Sequence, residues 1–200
     1  WIPDHRLGTL FNAVNLDRFP LIEDPVEPAD GLIVAQDFSR KGVAHAIEAL
    51  ARPEAKGVRL TVVGRDDPRR YRALARRLGV GDFVRFVGPA PDVRPFYREA
   101  GVFLLPTHHD PCSLVVLEAL ASGVPVISTR FNGACEVMTD GVHGVVLPRP
   151  EDIGELARAI GRVSDPRTNA TMRRAGATPR PPLSSQAHLA ALESIYARAR

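Results

Sequence analysis

Short apolar runs, each closed by a small or polar turn, alternate along most of the chain with stretches whose apolar positions recur every three or four residues. The runs GLIVAQ (31–36), VRLTVVG (58–64), FVRFVG (83–88), VFLLP (102–106), VPVIS (124–128) and GVVL (144–147) have the length of strands. Between them the spacing predicts a helix with apolar residues at Val43, Ala46, Ile47 and Leu50, an Arg-rich amphipathic helix over 68–78, and a short helix over 92–100. It further predicts a helix entered through Ser113 and running LVVLEALAS to Gly123, a short one near 134–138, and one over 152–163. Strands alternating with helices predict an α/β fold, a mostly parallel sheet of about six strands with helices on both faces. Residues 1–30 are rich in Pro and Asp and read as a linker or edge segment before a domain over 31–165. Residues 166–200 read as a tail: 164–185 is Pro- and Arg-rich and weakly patterned, and an amphipathic helix over 186–198 closes the chain.

In parallel sheets of this kind ligands bind at the carboxyl ends of the strands, so the turns 36–42, 64–67, 88–92, 107–113 and 130–133 should line one edge. Ser113 is a good N-cap, and the N–H groups of Leu114, Val115 and Val116 would face any anion placed at that helix start. Glu118 is the one charged residue of that helix, set among Leu, Val and Ala. Burying an unpaired carboxylate is costly, so Glu118 should face a cationic side chain or the hydroxyls of a ligand. Asp110 stands eight positions earlier, giving two carboxylates that flank one helix N-terminus. Arg40 and Lys41, in the first of the turns, would lie on the same side and complete a diphosphate clamp. Plainer alternatives stand beside these: a turn and a cap at 110–113, a carboxylate reaching solvent at Glu118, and a solvated Arg-Lys pair.

Composition narrows the classes. Two hundred residues, 44% of them hydrophobic, suit one domain with a substantial core. The net charge of +3 comes from 26 Lys+Arg interspersed with 23 Asp+Glu, without a basic run interleaved with aromatics, so no nucleic-acid partner is expected. Anionic small molecules or a lipid surface remain open. Cys112 and Cys135 lack metal-ligand spacing, and there is no DxD, so no metal is expected. The absence of GxGxxG after the first run, and of GxxxxGK[ST] anywhere, argues against a nicotinamide-dinucleotide or P-loop site. No signal peptide is found, and no apolar run approaches the ~18 residues of a membrane span. From the two cysteines a reduced, cytoplasmic setting is expected. The chain begins with Trp1, which reads as a fragment or an excised domain.

The order NAVNLDRF (12–19), SRKG (39–42), a strand with VVG (62–64), VRFVG (84–88), VFLLPTHHDPCSLVVLEALASGVPVIST (102–129), NGACEV (132–137) and DGVHGVVL (140–147) resembles the C-terminal half of GT-B glycosyltransferases of family 4. Within them it is most similar to the branch containing the lipopolysaccharide core glucosyltransferases. The resemblance runs from Asn12 to Val163 and takes in the closing helix. It implies a single Rossmann-like domain that binds a nucleoside-diphosphate sugar as donor, in a retaining, metal-independent hexosyltransferase without a cofactor. The acceptor, a lipid-linked or cell-envelope glycan of lipopolysaccharide or polysaccharide biosynthesis, would be held mainly by an N-terminal domain that a chain of this length lacks. Such an enzyme works in the cytoplasm, with peripheral association at the inner membrane face left open.

The family's two carboxylates separated by seven residues fall here on Asp110 and Glu118. The resemblance implies that Glu118 binds the ribose hydroxyls and Asp110 the donor sugar's hydroxyls near the reacting carbon. It puts the amides of Ser113, Leu114, Val115 and Val116, with Lys41 and Arg40, on the diphosphate, and the backbone of Ala90 on the nucleobase. Asp110 and Lys41 are the catalytic candidates. Four positions depart from the family pattern. Asp110 stands where Glu is usual, Pro111 and Ser113 replace glycines, and Ala35 stands where many members carry a basic residue that Arg40 replaces in part. His108 and His109 adjoin Asp110 and either shape the sugar site or are surface loop histidines. Two alternatives carry the same architecture: a non-catalytic nucleotide-sugar-binding domain and a sugar-nucleotide epimerase.

Overall fold

A computed structural model describes residues 8–22, 27 and 29–198 of the 200. Part of the segment read as a linker, residues 1–7, 23–26 and 28, therefore lies outside the described residues, as do 199–200 at the end of the tail. The six apolar runs all form strands: β1 (Asp30–Val34), β2 (Arg59–Val63), β3 (Val84–Gly88), β4 (Val102–Leu105), β5 (Val126–Thr129) and β6 (Gly144–Leu147). They make one sheet in the order β3-β2-β1-β4-β5-β6, every neighbour pair parallel. All residues of β4 and β5 are buried, and so are the last four of β1, as expected of central strands covered on both faces. At the edge, β3 alternates half-buried and exposed positions.

The helices are α1 (Val43–Leu50), α2 (Arg69–Arg77), α3 (Arg94–Glu99), α4 (Leu114–Ala121), α5 (Ile153–Val163), α6 (Pro166–Ala175), α7 (Arg180–Leu183) and α8 (Ser185–Arg198). From the centre of the sheet the chain winds outward twice, through β1-β2-β3 and through β4-β5-β6. Right-handed crossovers in opposite directions place α1 and α2 on one face and α4 on the other. Between β1 and β4 the order reverses, and the loops after these two strands leave the sheet in opposite directions. That divergence opens a crevice at the carboxyl edge.

Residues 164–185 differ from the sequence reading, since they hold α6 and α7. The start of α6 carries a signal that periodicity does not register: Asp165 accepts the Thr168 N–H at 2.9 Å as N-cap, and Pro166 takes the first helical position. The closing helix α8 forms, but none of its residues is buried, and Leu189 and Tyr196 are exposed. Residues 8–22 pack on the domain. Val14 bridges to Ser184 and donates to the Leu183 carbonyl at 2.8 Å, Ile22 donates to the Ser122 carbonyl at 3.1 Å, and Phe19 is buried.

One glycine is fixed by the crevice. Gly42 ends the β1 loop with φ of 74°, and a Cβ there would overlap the Pro106 carbonyl oxygen at the end of β4. Gly79, after α2, has nearly the same φ, 73°, with open space around it. Gly79→Ala should therefore lose about 1–2 kcal/mol from the left-handed backbone alone, and Gly42→Ala clearly more, because it must also part β1's loop from β4. Urea denaturation of both variants checks this; equal losses would show that the close approach at Gly42 does not constrain the fold.

Candidate functional site: a crevice at the carboxyl edge of the sheet

The crevice is built from the ends of β1, β4 and β5. Lys41 follows β1, Asp110 follows β4, and they form an ion pair whose side chains are only 9% and 11% exposed. Although 69 positions apart in the chain, their loops are tied at several further points. The Thr107 hydroxyl and the His108 N–H both donate to the Arg40 carbonyl at 3.0 Å, and the Arg40 guanidinium donates to the His109 carbonyl at 3.1 Å. Arg40 also reaches Asp37 at 3.4 Å, so the more exposed member of the Arg-Lys pair spans two loops while Lys41 points inward.

Asp110 is further held by β5's loop. Its N–H donates to the Phe131 carbonyl at 3.0 Å, its carbonyl accepts from Gly133 N–H at 2.9 Å, and its Oδ1 accepts from Cys112 N–H at 3.3 Å. Gly133 fits because a Cβ there would overlap the Pro111 carbonyl oxygen. Asn132, 1% exposed, is the hub: its Oδ1 accepts from Ala134 N–H at 3.1 Å and Ser113 N–H at 3.3 Å, while Nδ2 donates to Ser128 Oγ at 3.1 Å. Buried hydroxyls complete the floor, Ser128 donating to the Leu105 carbonyl and Thr129 to the Thr107 carbonyl, each at 2.7 Å.

Ser113 occupies the N-cap of α4, but its hydroxyl makes no capping bond. Of the four amides expected to meet an anion, two are engaged. Ser113 N–H is taken by Asn132, and Val116 N–H turns back to the Ser113 carbonyl at 3.2 Å. That leaves Leu114 and Val115, whose N–H groups have no intrahelical acceptor, as the donors facing the crevice at the positive end of the helix.

Glu118, one turn further along α4, is half-buried and finds a hydroxyl within the protein. Tyr97 of α3, 1% exposed, donates to Glu118 Oε2 at 3.0 Å and shares that proton with the Val115 carbonyl at 3.0 Å. Burial pushes the Glu118 carboxyl above its ordinary range, with the Tyr97 hydrogen bond and the charge of Arg18 opposing. Burial also raises the Tyr97 phenol well above its ordinary value, and the neighbouring Glu118 charge adds to it. Ala90, half-buried in the β3–α3 loop, shares the carboxyl edge, but no hydrogen bond among the described residues joins it to Lys41, Asp110 or Glu118. His109 is exposed; His108 lies against Glu151 at 3.3 Å and His45, outside the Lys41–Asp110 contact.

Tyr97, Asn132, Thr107 and Thr129 were not singled out by sequence reasoning. Polar residues placed directly after apolar runs are the trace that Thr107, Ser128 and Thr129 leave. Tyr97 leaves none in its short helix. Among the described residues no cluster of three or more His, Cys, Asp and Glu is placed to hold a metal ion, and no helix is long and apolar enough to cross a membrane.

A doubly wound parallel sheet with a cation and a helix N-terminus at its switch point defines the class, an α/β domain whose carboxyl edge is the place where such folds take anionic ligands. Residues 30–165 match the family of glycosyl transferases described as group 1, and the chain belongs to that family. It is 38% identical over 133 residues to the lipopolysaccharide glucosyltransferase WaaG of Escherichia coli K12, which covers 64% of this chain and 36% of that protein. To the lipopolysaccharide core biosynthesis glycosyltransferase LpsE of Rhizobium meliloti it is 39% identical over 155 residues, 76% of this chain and 44% of the relative. The matched stretches thus cover less than half the length of these relatives. The crystal structure of WaaG superposes with a TM-score of 0.71 at 28% identity, covering 93% of this chain and 56% of that one. The fold is shared with the C-terminal domain of LpcC from Francisella tularensis, TM-score 0.71 at 21% identity over 84% of this chain and 96% of that domain. It is shared also with Anabaena HepE in complex with UDP-glucose, TM-score 0.76 at 22% identity, covering 92% and 57%.

The raised Glu118 carboxyl has a consequence for stability. An acid that binds its proton more tightly in the fold contributes stability that is complete below its unfolded pKa and is lost as pH rises through the folded one. Glu118→Gln cannot ionise and still accepts the Tyr97 hydroxyl. Relative to wild type it should gain stability between about pH 4 and about pH 7. Guanidinium unfolding at both pH values tests this, and a pH-independent difference would mean that Glu118 is as solvated in the fold as in the unfolded chain.

Proposed function

We propose that this domain is the donor half of a retaining, metal-independent hexosyltransferase, binding a nucleoside-diphosphate sugar at the β1/β4 crevice. The observation that carries the reading is the buried Lys41–Asp110 pair in front of the α4 N-terminus, with Glu118 one turn beyond. A diphosphate placed there meets Lys41, the Leu114 and Val115 amides and the adjoining Arg40. These supply the positive charge that a leaving diphosphate needs without a metal ion. As Lys41 turns to phosphate, Asp110 is freed to accept hydroxyls of the donor sugar beside the reacting carbon. Glu118, fixed by Tyr97 through one oxygen, keeps Oε1 for a ribose hydroxyl, and the Ala90 backbone lies on the same edge for the base. Relatives named for lipopolysaccharide synthesis and a neighbour solved with UDP-glucose support a UDP-hexose donor. On this reading the acceptor is a lipid-linked or cell-envelope glycan, and the enzyme works in the cytoplasm against the inner membrane face.

The acceptor, on this reading, is held largely by a second domain, since the chain covers 56% of the solved WaaG chain. A non-catalytic nucleotide-sugar domain would bind the same donor and is separated by transfer in the full-length protein; an epimerase would interconvert the sugar nucleotide with no acceptor present.

Glu118→Gln should weaken UDP and uridine alike, by about 1.5–3 kcal/mol, the worth of a charge-assisted hydrogen bond. Lys41→Gln should weaken UDP far more than uridine, because its partner is phosphate. Calorimetric titration of both ligands decides; a Lys41 variant that loses both equally would end the clamp.

Acceptor orientation against the anomeric carbon is worth roughly 7–11 kcal/mol of barrier. These 200 residues should therefore bind UDP-glucose weakly and show no sustained transfer, measured as UDP released in the presence of glycan acceptors. Multiple turnovers would place the acceptor site within this chain and defeat the two-domain reading.

A further inference from the structure

A cavity of about 550 Å3 lies in the groove between α1 and α2, outside the Lys41–Asp110 contact. Its walls bring together Ser39, His45 and Glu48 on one side, Arg70 and Arg77 on the other, and His108 from the β4 loop. Both helices follow their strands away from the carboxyl edge. Ser39, His45, His108 and Arg70 are therefore at the end nearest that edge, and Glu48 and Arg77 lie one to two turns deeper.

At the upper end Arg70 supplies the positive charge and is already ordered, while His108 lies against Glu151 at 3.3 Å. Arg70 lies over the Tyr71 ring at 4.6 Å and donates to the Tyr71 hydroxyl, which holds its guanidinium in place. The His45 and His108 rings meet at 5.0 Å, and His45 Nδ1 is buried without a hydrogen-bond partner. Arg69, next to Arg70 on α2, is taken by Asp67. Among the described residues neither Arg70 nor Arg77 forms such a pair, although each is free to take a bidentate oxyanion. The single carboxylate of the groove, Glu48, stands opposite the deeper arginine. A carboxylate beside a guanidinium at a cavity's end is suited to hydroxyl groups, which it accepts from while the arginine donates to them.

We propose that this groove binds a phosphorylated sugar, with its phosphate against Arg70 and the His45–His108 pair and its ring hydroxyls against Glu48 and Arg77. The cavity exceeds what a lone phosphate fills, and its polar groups are of both signs in the order that such a molecule presents. The site is separate from the donor crevice and does not depend on the donor reading.

The test is calorimetric titration of the chain with glucose 6-phosphate, inorganic phosphate and glucose. Glucose 6-phosphate should bind, phosphate more weakly, and glucose alone not at all. Arg70→Ala should weaken glucose 6-phosphate and phosphate roughly tenfold or more, while Glu48→Gln weakens only the sugar phosphate. UDP affinity should stay at the wild-type value in both variants. The proposal is overturned if glucose 6-phosphate does not bind, or if Glu48→Gln leaves it unchanged. It is equally overturned if Lys41→Gln removes this binding as fully as Arg70→Ala, which would put the phosphate in the donor crevice.

Discussion

The structure turns on a buried cation–carboxylate contact across the point where a parallel sheet reverses its winding. Removing Lys41 and Asp110 from water is unfavourable for each, and their attraction offsets this only with good geometry and with the remaining valences satisfied. The satisfaction is visible. Cys112 N–H serves the second oxygen of Asp110, the Asp110 backbone is bonded on both sides to β5's loop, and the Arg40 carbonyl beside Lys41 collects Thr107 and His108. Gly42 and Gly133 let the three loops approach closely enough for these bonds to form. The pair itself is neutral, so the field left at the crevice is that of the α4 N-terminus and Arg40. On the proposed reading an anion is attracted there first, and Lys41 then exchanges one carboxylate oxygen for a phosphate oxygen.

Glu118 illustrates the opposite economy. Its environment raises its affinity for a proton, so its ionised form is held at a cost, moderated by the Tyr97 hydroxyl and the charge of Arg18. A ligand hydroxyl arriving at the free oxygen would relieve part of that cost. Folding alone would favour an uncharged side chain here, which is why a carboxylate held at such a cost is a candidate for a site rather than for the core.

Much of this was legible along the chain. Six apolar runs became six strands because central parallel strands are buried on both faces and need no alternation. The turn after each run could be placed at one edge because parallel strands all end on the same side. Lys41, Asp110 and Glu118 could be chosen because a charged residue beside or inside an apolar element is conspicuous. What they touch was not legible. The Lys41–Asp110 contact spans 69 positions, and the Tyr97–Glu118 contact joins two helices on either side of β4. The engagement of the Ser113 amide by Asn132 is invisible too, since nothing local distinguishes an Asn that orders two loops from one that makes a turn. In α6, five charged or hydroxyl-bearing residues among ten obscured the period, and only the Asp165-Pro166 cap announced the helix.

The ends of the described chain bear on the site more than their composition suggests. Phe19 meets the Tyr97 ring edge-on at 5.8 Å, and Phe103 of β4 covers the same ring from another side at 5.7 Å. Arg180 of α7 donates to the Phe19 carbonyl at 2.9 Å and to the Ala121 carbonyl at the end of α4. The hydroxyl that fixes Glu118 is thus held dry by a residue far upstream, which is itself held by a guanidinium far downstream. Aromatic contacts of this kind exclude water as well as adding packing energy. The desolvation that raises Glu118 is accordingly a property of α3, α4, α7 and residues 8–22 acting together. Loosening that clasp would lower the carboxylate's proton affinity and free its rotamer without touching a residue at the crevice.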